Sequence, residues 1–180
     1  ERPHVRIRRL IPFLGSRVTV SWRERHGYMR IVVHNVYWFQ GCPSRWGGER
    51  VAAVPAVVDG LVELYASLSP DVICLQEVQD PSLVASAAER LGMASWIHAP
   101  GGVKTDYGGA ILTRNPSKML DLTSNGSDPP HERVHIRAQV TNGENTLEIA
   151  CVHLPSNRFA GSPEGGSRAR VAEVERILRC

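Results

Sequence analysis

The stretch PDVICLQEV, from Pro70 to Val78, contains a run of apolar and β-branched residues that ends in Gln76 and Glu77. A continuous apolar run of this length, bounded by a proline, is typical of a strand that is buried on both faces of a sheet. A carboxylate follows directly where that strand should end. We therefore predict a central strand with Glu77 at its carboxyl end.

The segments around this stretch alternate between strand-like and helix-like patterns, which predicts a layered α/β protein. Asp80 and Pro81 have the chemistry of a helix N-cap and first turn. The predicted strands lie at residues 30–36, 71–75, 94–98, 109–113, 118–122, 132–140 and 146–153. The predicted helices lie at residues 49–68, 82–91 and 167–180. In the last helix the apolar residues share one face, and they are Val171, Val174, Ile177 and Leu178.

Positive charge is concentrated at the start of the chain. Residues 1–28 contain seven arginines and two glutamates, a net charge of +5, and subtracting this from the total of +3 leaves −2 for residues 29–180. A basic segment of this kind is either an arm that binds nucleic acid or an extension with no place in the fold. Because Met29 is followed at once by a strand pattern, we predict that residues 1–28 are a basic extension outside the fold.

Other features limit the compartment and the class of protein. No apolar run approaches the roughly 18 to 20 residues that span a bilayer, and the N-terminus lacks the pattern of a secretory signal. The four cysteines are widely spaced and form no C-x-x-C pair, so we predict that Cys74 and Cys151 are buried and reduced. These features predict a cytoplasmic monomer with no integral membrane segment.

Three polar residues share one position, the carboxyl end of an apolar strand. They are Asn35, Glu77 and His153. Ligands of α/β sheets bind outside the carboxyl ends of strands, so these side chains are candidates for one cleft. An amide oxygen, a carboxylate and an imidazole suit Mg²⁺ together with an anionic substrate, because Mg²⁺ takes oxygen ligands and leaves positions for a phosphate.

Four strings of the chain, HNVYWF, PDVICLQEV, YGGAILTR and ACVHLPSN, resemble the successive N-terminal motifs of the endonuclease/exonuclease/phosphatase superfamily of DNase I-like phosphoesterases. The resemblance extends from Met29 to the end of the chain. It implies a DNase I-like four-layer α/β sandwich, truncated before its last strands. It also implies a phosphoesterase that depends on Mg²⁺ or Mn²⁺.

The resemblance assigns roles by position. Asn35 corresponds to the asparagine that helps to arrange the metal and the phosphate, and Glu77 corresponds to the metal-binding glutamate of the LQE motif. His153 corresponds to the histidine that donates hydrogen bonds to the scissile phosphate. Tyr107 and Asn157 are the candidate substrate contacts. Asp106 is a candidate for the rim of the cleft, and Gly108 and Gly109 match the small residues of the GGAIL motif.

The later family motifs are missing. The 180 residues contain no GD dipeptide and no DH dipeptide, whereas the family's general base lies in GD-x-N and a further carboxylate and imidazole lie in a terminal D-H pair. We therefore expect residues 29–180 to be the N-terminal part of the domain, inactive alone, with an unpaired sheet edge. The substrate stays open among nucleic acids, phospholipid headgroups and small phosphodiesters.

Two alternatives remain. HERVH, from His131 to His135, fits the zinc motif H-E-x-x-H, which binds zinc when it lies on a helix with Glu132 as the base. Period-two alternation predicts a strand instead, in which the two histidines would be about 13 Å apart, too far to share one zinc. The other alternative is a noncatalytic module that binds phosphate or nucleic acid. In the loop after Asn35, the aromatic residues Tyr37, Trp38 and Trp46 either contact substrate or pack the loop onto the core.

Overall fold

The computed structural model describes residues 4–9, 18–24, 27–41, 52–121, 130–142, 145–156 and 163–178. The strands are β1 (His4–Arg9), β2 (Val18–Glu24), β3 (Gly27–Asn35), β4 (Val72–Gln76), β5 (Ser95–Ala99), β6 (Gly109–Thr113), β7 (Ser117–Asp121), β8 (His135–Asn142) and β9 (Asn145–Val152). The α-helices are α1 (Pro55–Leu68), α2 (Pro81–Arg90) and α3 (Pro163–Ile177). A 3₁₀ turn, Tyr37–Phe39, follows β3.

The described strands form two sheets. The larger sheet has the order β1-β2-β3-β4-β6-β5, and the smaller has the order β7-β8-β9. β3 and β4 run parallel, and α1 provides the crossover that a parallel pair requires. The carboxyl ends of β3 and β4 therefore lie at the same edge of the larger sheet.

β4 is the central strand that the sequence predicts. It lies between β3 and β6, and its residues Val72 to Leu75 are buried. Because successive side chains point to opposite faces, Ile73 and Leu75 pack in the core beneath α1 and α2, whereas Val72 and Cys74 pack in the core between the two sheets. Cys74 and Cys151 are buried free thiols, as predicted.

Local signals set the helix boundaries. α1 begins at Pro55, later than the predicted residue 49, because a proline without an N–H fits the first turn of a helix but not its interior. α2 begins after Asp80, whose Oδ1 accepts a hydrogen bond from the Ser82 N–H at 2.8 Å, so the predicted N-cap is confirmed. No helix among the described residues is both long enough and apolar enough to cross a bilayer.

The first 28 residues differ from the expectation that they lie outside the fold. β2 pairs antiparallel with β3 from Val18 to Glu24, and β1 pairs with β2. The physical reason is the period of the sequence, since VTVSWRE alternates apolar and polar residues like a strand. In their described part, these residues extend the larger sheet at its β3 edge.

The segment before β8 also differs from its prediction. The strand begins at His135 and not at Glu132, and the residues before it are irregular. As a result the rings of His131 and His135 lie with their centroids 4.7 Å apart, so the predicted separation of about 13 Å for a continuous strand was wrong. The segment is not a helix either, so the motif lacks the context in which H-E-x-x-H binds zinc.

Helix α3 exposes its apolar face. Val171 is 57% exposed and Leu178 is 80% exposed, whereas Glu173 is only 5% exposed. The helix therefore buries a carboxylate while it leaves valine and leucine side chains exposed.

Candidate active site

Glu77 lies directly after β4, as predicted, at the edge where β3 and β4 end. The residue is 6% exposed, and its backbone is left-handed, with φ of 59°. Its carbonyl oxygen accepts a hydrogen bond from the Trp38 N–H at 2.8 Å, which ties the two strand ends together. A buried carboxylate on a rigid strand end is well placed to hold a ligand in a fixed position.

Asn35 ends the neighbouring strand and stabilises an unusual turn. Its Oδ1 accepts a hydrogen bond from the Tyr37 N–H at 3.0 Å. Tyr37, Trp38 and Phe39 all have left-handed backbones, with φ of 47°, 53° and 58°. Because each such residue costs roughly 1–2 kcal/mol, this turn stores strain of the kind that collects at functional sites.

His153 follows β9 of the smaller sheet. Its N–H donates to the carbonyl oxygen of Val134 at 3.0 Å, and its Nε2 lies 3.7 Å from Oε1 of Glu77. Burial lowers the pKa of His153 to about 3, and the positive charge of Arg133 adds to this effect. The imidazole is therefore neutral at physiological pH, and its contact with Glu77 is not an ion pair.

Arg133 is the site residue that the sequence analysis missed. It is 3% exposed, and its Nη1 contacts Nε2 of His153 and lies 3.9 Å from Oε1 of Glu77. A guanidinium can only donate hydrogen bonds, so Nε2 of His153 accepts and the proton of the imidazole is assigned to Nδ1. That Nδ1 has no hydrogen-bond partner within the part of the chain that the structure describes.

A topological signal could have found Arg133. The predicted site was built from carboxyl ends of strands, but β8 and β9 are antiparallel, and His135 pairs with Val152. The residues just before β8 therefore lie beside the residues just after β9. A charged residue before β8 was thus a candidate neighbour of His153.

The aromatic residues have two different roles in the structure. Trp38 is 8% exposed, and its Nε1 donates to the carbonyl oxygen of Asp106 at 2.7 Å, so it packs the turn against the neighbouring loop. Tyr107 lies at the site itself, with its ring centre 4.3 Å from Cζ of Arg133 and 6.0 Å from the His153 ring. Asn157 and Trp46, also named from the sequence, lie outside the described residues.

Gly108 and Gly109 permit the close approach that brings these elements together. A Cβ atom at Gly108 would lie 2.4 Å from the carbonyl oxygen of Val78 and 2.7 Å from that of Ala99. A Cβ atom at Gly109 would lie 2.6 Å from the carbonyl oxygen of Leu75. Only a residue without a side chain fits against backbone atoms at these distances.

An open cavity of about 440 Å³ adjoins the segment that carries Arg133. Its lining combines apolar side chains with charged ones, and the residues are Val103, Pro130, Glu132, Pro155, Ala169, Ala172, Glu173, Glu175 and Arg176. Three carboxylates against one guanidinium disfavour an anion in this cavity.

The donor set at this edge fits Mg²⁺. Glu77 offers a carboxylate, and the Asn35 Oδ1 keeps a lone pair after accepting from Tyr37, because an amide oxygen has two. The described residues contain no group of three His, Cys, Asp or Glu side chains that would hold a metal. Mg²⁺ is commonly held by one or two carboxylates and several waters, so it does not require such a cage.

Comparisons with known proteins bear on the family and the fold of the chain. Residues 32–178 match the family model described as Endonuclease/Exonuclease/phosphatase family. A search of curated proteins found no match. Among solved structures, D. rerio TDP2 humanized by 14 mutations is 21% identical, with a TM-score of 0.55, and the match covers 84% of this chain and 58% of that chain.

A second solved structure also shares the fold. An endonuclease/exonuclease/phosphatase from Beutenbergia cavernae DSM 12333 is 14% identical, with a TM-score of 0.52, and the match covers 81% of this chain and 43% of that one. The chain thus spans about half the length of the structures it matches. These likenesses confirm the predicted layered α/β fold of the DNase I-like type.

Proposed function

Because the chain belongs to the endonuclease/exonuclease/phosphatase family, whose members are phosphoesterases and nucleases, we propose that it takes part in the hydrolysis of a phosphoester with Mg²⁺ or Mn²⁺ bound at Glu77 and Asn35. The observation that carries this proposal is the convergence of Glu77, Arg133 and His153 from two sheets. A carboxylate, a guanidinium and a neutral imidazole together suit the binding of a cation and a phosphate. The specific substrate stays open among nucleic acids, phospholipid headgroups and small phosphodiesters.

Arg133 binds the phosphate in this proposal. Its guanidinium is planar and presents fixed N–H donors that match phosphate oxygens in pairs. The Tyr107 ring lies 4.3 Å from Cζ, where the face of the ring attracts the cation. A donor that is held in place before the substrate arrives needs little reorganisation as charge develops on the phosphoryl oxygens.

His153 acts as a neutral donor. With its Nε2 occupied by Arg133, the ring has only the Nδ1 proton to donate, and because Nδ1 is buried, a phosphoryl oxygen reaches it only after the side chains that cover it move. Because the imidazole is neutral at physiological pH, it can lie beside Arg133 without repulsion. Its backbone bond to Val134 fixes the residue at the start of the segment that follows β9.

Glu77 explains why a cation belongs in the site. Its carboxylate only accepts hydrogen bonds when ionised, and its charge would repel a phosphate bound to Arg133. Glu77 would hold a divalent cation, which when bound would supply neutralisation of charge on the phosphoryl oxygens. Asn35 adds a neutral oxygen at the same strand edge.

The proposal is tested by metal binding and by catalysis. Mn²⁺ binding to this chain is measured by calorimetry, and hydrolysis of a panel of phosphodiesters and phosphomonoesters is measured for the chain together with any further residues that its gene encodes. We expect Glu77→Gln to abolish Mn²⁺ binding and to lower hydrolysis by more than the roughly 10- to 100-fold that loss of an outer-shell partner costs. Glu63→Gln, at an exposed position on α1, is the matched control. Unchanged binding and turnover in Glu77→Gln would refute the proposed metal site.

A noncatalytic phosphate-binding module is the second candidate. The buried Arg133 and the neighbouring His153 favour it, because both can bind a phosphate without a metal. The two candidates differ in one measurement. A module of this kind binds inorganic phosphate but turns over none of the panel with Mg²⁺ or Mn²⁺ present.

A further inference from the structure

The segment that precedes β8, residues 131–133, carries Arg133 into the site and is held on one side by a loop. Three consecutive backbone bonds join the two. The N–H groups of Gly102, Val103 and Lys104 donate to the carbonyl oxygens of Arg133, His131 and Glu132 at 3.1, 2.9 and 2.8 Å. The loop thus holds the backbone carbonyl groups of residues 131–133 in place.

Glu173 of α3 holds the same segment on its other side. Its Oε1 accepts a hydrogen bond from the Glu132 N–H at 2.7 Å, and its Oε2 lies 3.9 Å from Nδ1 of His131. Arg176, one turn further along α3, places Nη2 3.6 Å from Oε1 of Glu173. The backbone donor next to Arg133 is therefore bound by a buried carboxylate from another element.

The contact between α3 and the 131–133 segment is made by a carboxylate and not by an apolar side chain. Burying a charged group is costly unless it is paired, and burial raises the pKa of Glu173. α3 has apolar side chains available, but Val171 is 57% exposed and Val174 is 38% exposed. If the contact served only to hold α3 against the rest of the protein, we would expect Val171 and Val174 to be buried there instead. A carboxylate does what a valine cannot, since it accepts the hydrogen bond of the Glu132 N–H.

We propose that Glu173 is a positioning residue for Arg133, which it acts on through the backbone of Glu132. The bond to the Glu132 N–H fixes the peptide that precedes Arg133, and so fixes where the guanidinium meets the phosphate. This inference rests on the proposed function, in which the ligand of Arg133 is a phosphate. Because a small misplacement of a binding group lowers affinity strongly, loss of the bond affects phosphate binding more than folding.

The test compares three single variants by calorimetric titration with inorganic phosphate in the presence of Mg²⁺. Glu173→Leu fills the buried volume but has no acceptor, and because it also removes the partner of Arg176, its folding is checked by circular dichroism before titration. Glu173→Gln keeps an Oε1 acceptor and is the rescue variant. Glu175→Leu lies at an exposed position of the same helix and is the matched control.

We expect Glu173→Leu to weaken phosphate affinity roughly tenfold, with Glu173→Gln and Glu175→Leu within about twofold of the wild type. Each variant is also measured in an Arg133→Lys background, which keeps the positive charge but not the planar fork of donors, and there Glu173→Leu should have a smaller effect. A structural defect would instead lower affinity, or the fraction of folded protein seen by circular dichroism, in both backgrounds.

The outcomes separate this inference from the proposed function. If the wild type binds no phosphate, the proposed phosphate site and the positioning role are both refuted. If the wild type binds phosphate and Glu173→Leu binds it equally well, only the positioning role is refuted. The same holds if Glu173→Leu is as damaging in the Arg133→Lys background, or if Glu173→Gln fails to restore affinity.

Discussion

Oε1 of Glu77 lies 3.7 Å from Nε2 of His153, although Glu77 follows β4 of the larger sheet and His153 follows β9 of the smaller one. The site therefore exists only where the two sheets meet. Residues of the core between the sheets, such as Cys74 and Ile136, hold it together although they do not touch it. Changes that separate the sheets are expected to dismantle the site.

Gly108→Ala is expected to destabilise the protein by roughly 1–3 kcal/mol, the usual cost of overpacking. The added methyl group would meet two carbonyl oxygens, at 2.4 and 2.7 Å, and both belong to backbone that joins the site strands. Urea denaturation followed by circular dichroism measures the effect. Gly60→Ala is the control, because no atom lies within 4 Å of its added Cβ, and it should stabilise α1 by about 0.5–1 kcal/mol. Equal effects of the two changes would contradict the role assigned to Gly108.

Asp80→Ala is expected to lower the free energy of unfolding by about 1 kcal/mol, because it removes the N-cap of α2. The hydrogen bonds with Ser82 also lower the pKa of Asp80, which shows that the ionised carboxylate is the bonded form. The same denaturation assay applies, with Gln79→Ala at the preceding exposed position as its control. An Asp80→Ala protein as stable as that control would show that the cap contributes nothing.

Glu173→Gln is expected to gain stability over the wild type as pH rises. Burial raises the pKa of Glu173 above its ordinary value of 4.5, so the folded state holds this proton more tightly than the unfolded state. The contribution of Glu173 to stability is therefore fully present below pH 4.5 and is lost as pH rises through the raised pKa. A glutamine is neutral throughout.

The free energy of unfolding of Glu173→Gln and of the wild type is measured by urea denaturation between pH 4 and pH 8. This range begins just below the ordinary pKa of 4.5 and extends well above it. Glu175→Gln serves as the exposed control on the same helix. The difference between Glu173→Gln and the wild type should grow with pH, while the difference for the control stays flat. A pH-independent difference at Glu173 would mean that its carboxyl group titrates alike in the folded and unfolded chains.

Arg133→Leu is expected to destabilise the protein by roughly 3–5 kcal/mol, the cost of removing one member of a buried pair. The Glu77 carboxylate stays buried, and the guanidinium 3.9 Å away is gone. Adding Glu77→Gln should recover part of the loss, because the buried charge is removed as well. A double-mutant cycle measures this coupling, and strictly additive effects would show that the two groups do not interact.

Local patterns predicted most of the elements. The apolar run before Glu77, the Asp80 cap and the β-branched run of β3 each act through residues that are neighbours in the chain, so their positions could be read directly. The prediction was wrong in the segment before β8. In His131 to His135 the alternation of apolar residues predicted a strand throughout, whereas the backbone is irregular up to His135.

The sequence by itself determined the order of the strands and helices from β3 onward, the family, and Glu77 and His153 as site candidates, because strand periodicity and short motifs are properties of neighbouring residues. Only the tertiary structure decided that Arg133 contacts His153 and lies 3.9 Å from Glu77, that His131 and His135 lie ring to ring, and that Glu173 is buried. Those contacts join residues from different strands and helices. They depend on how two sheets and a helix pack together, and local patterns in the sequence do not predict that packing.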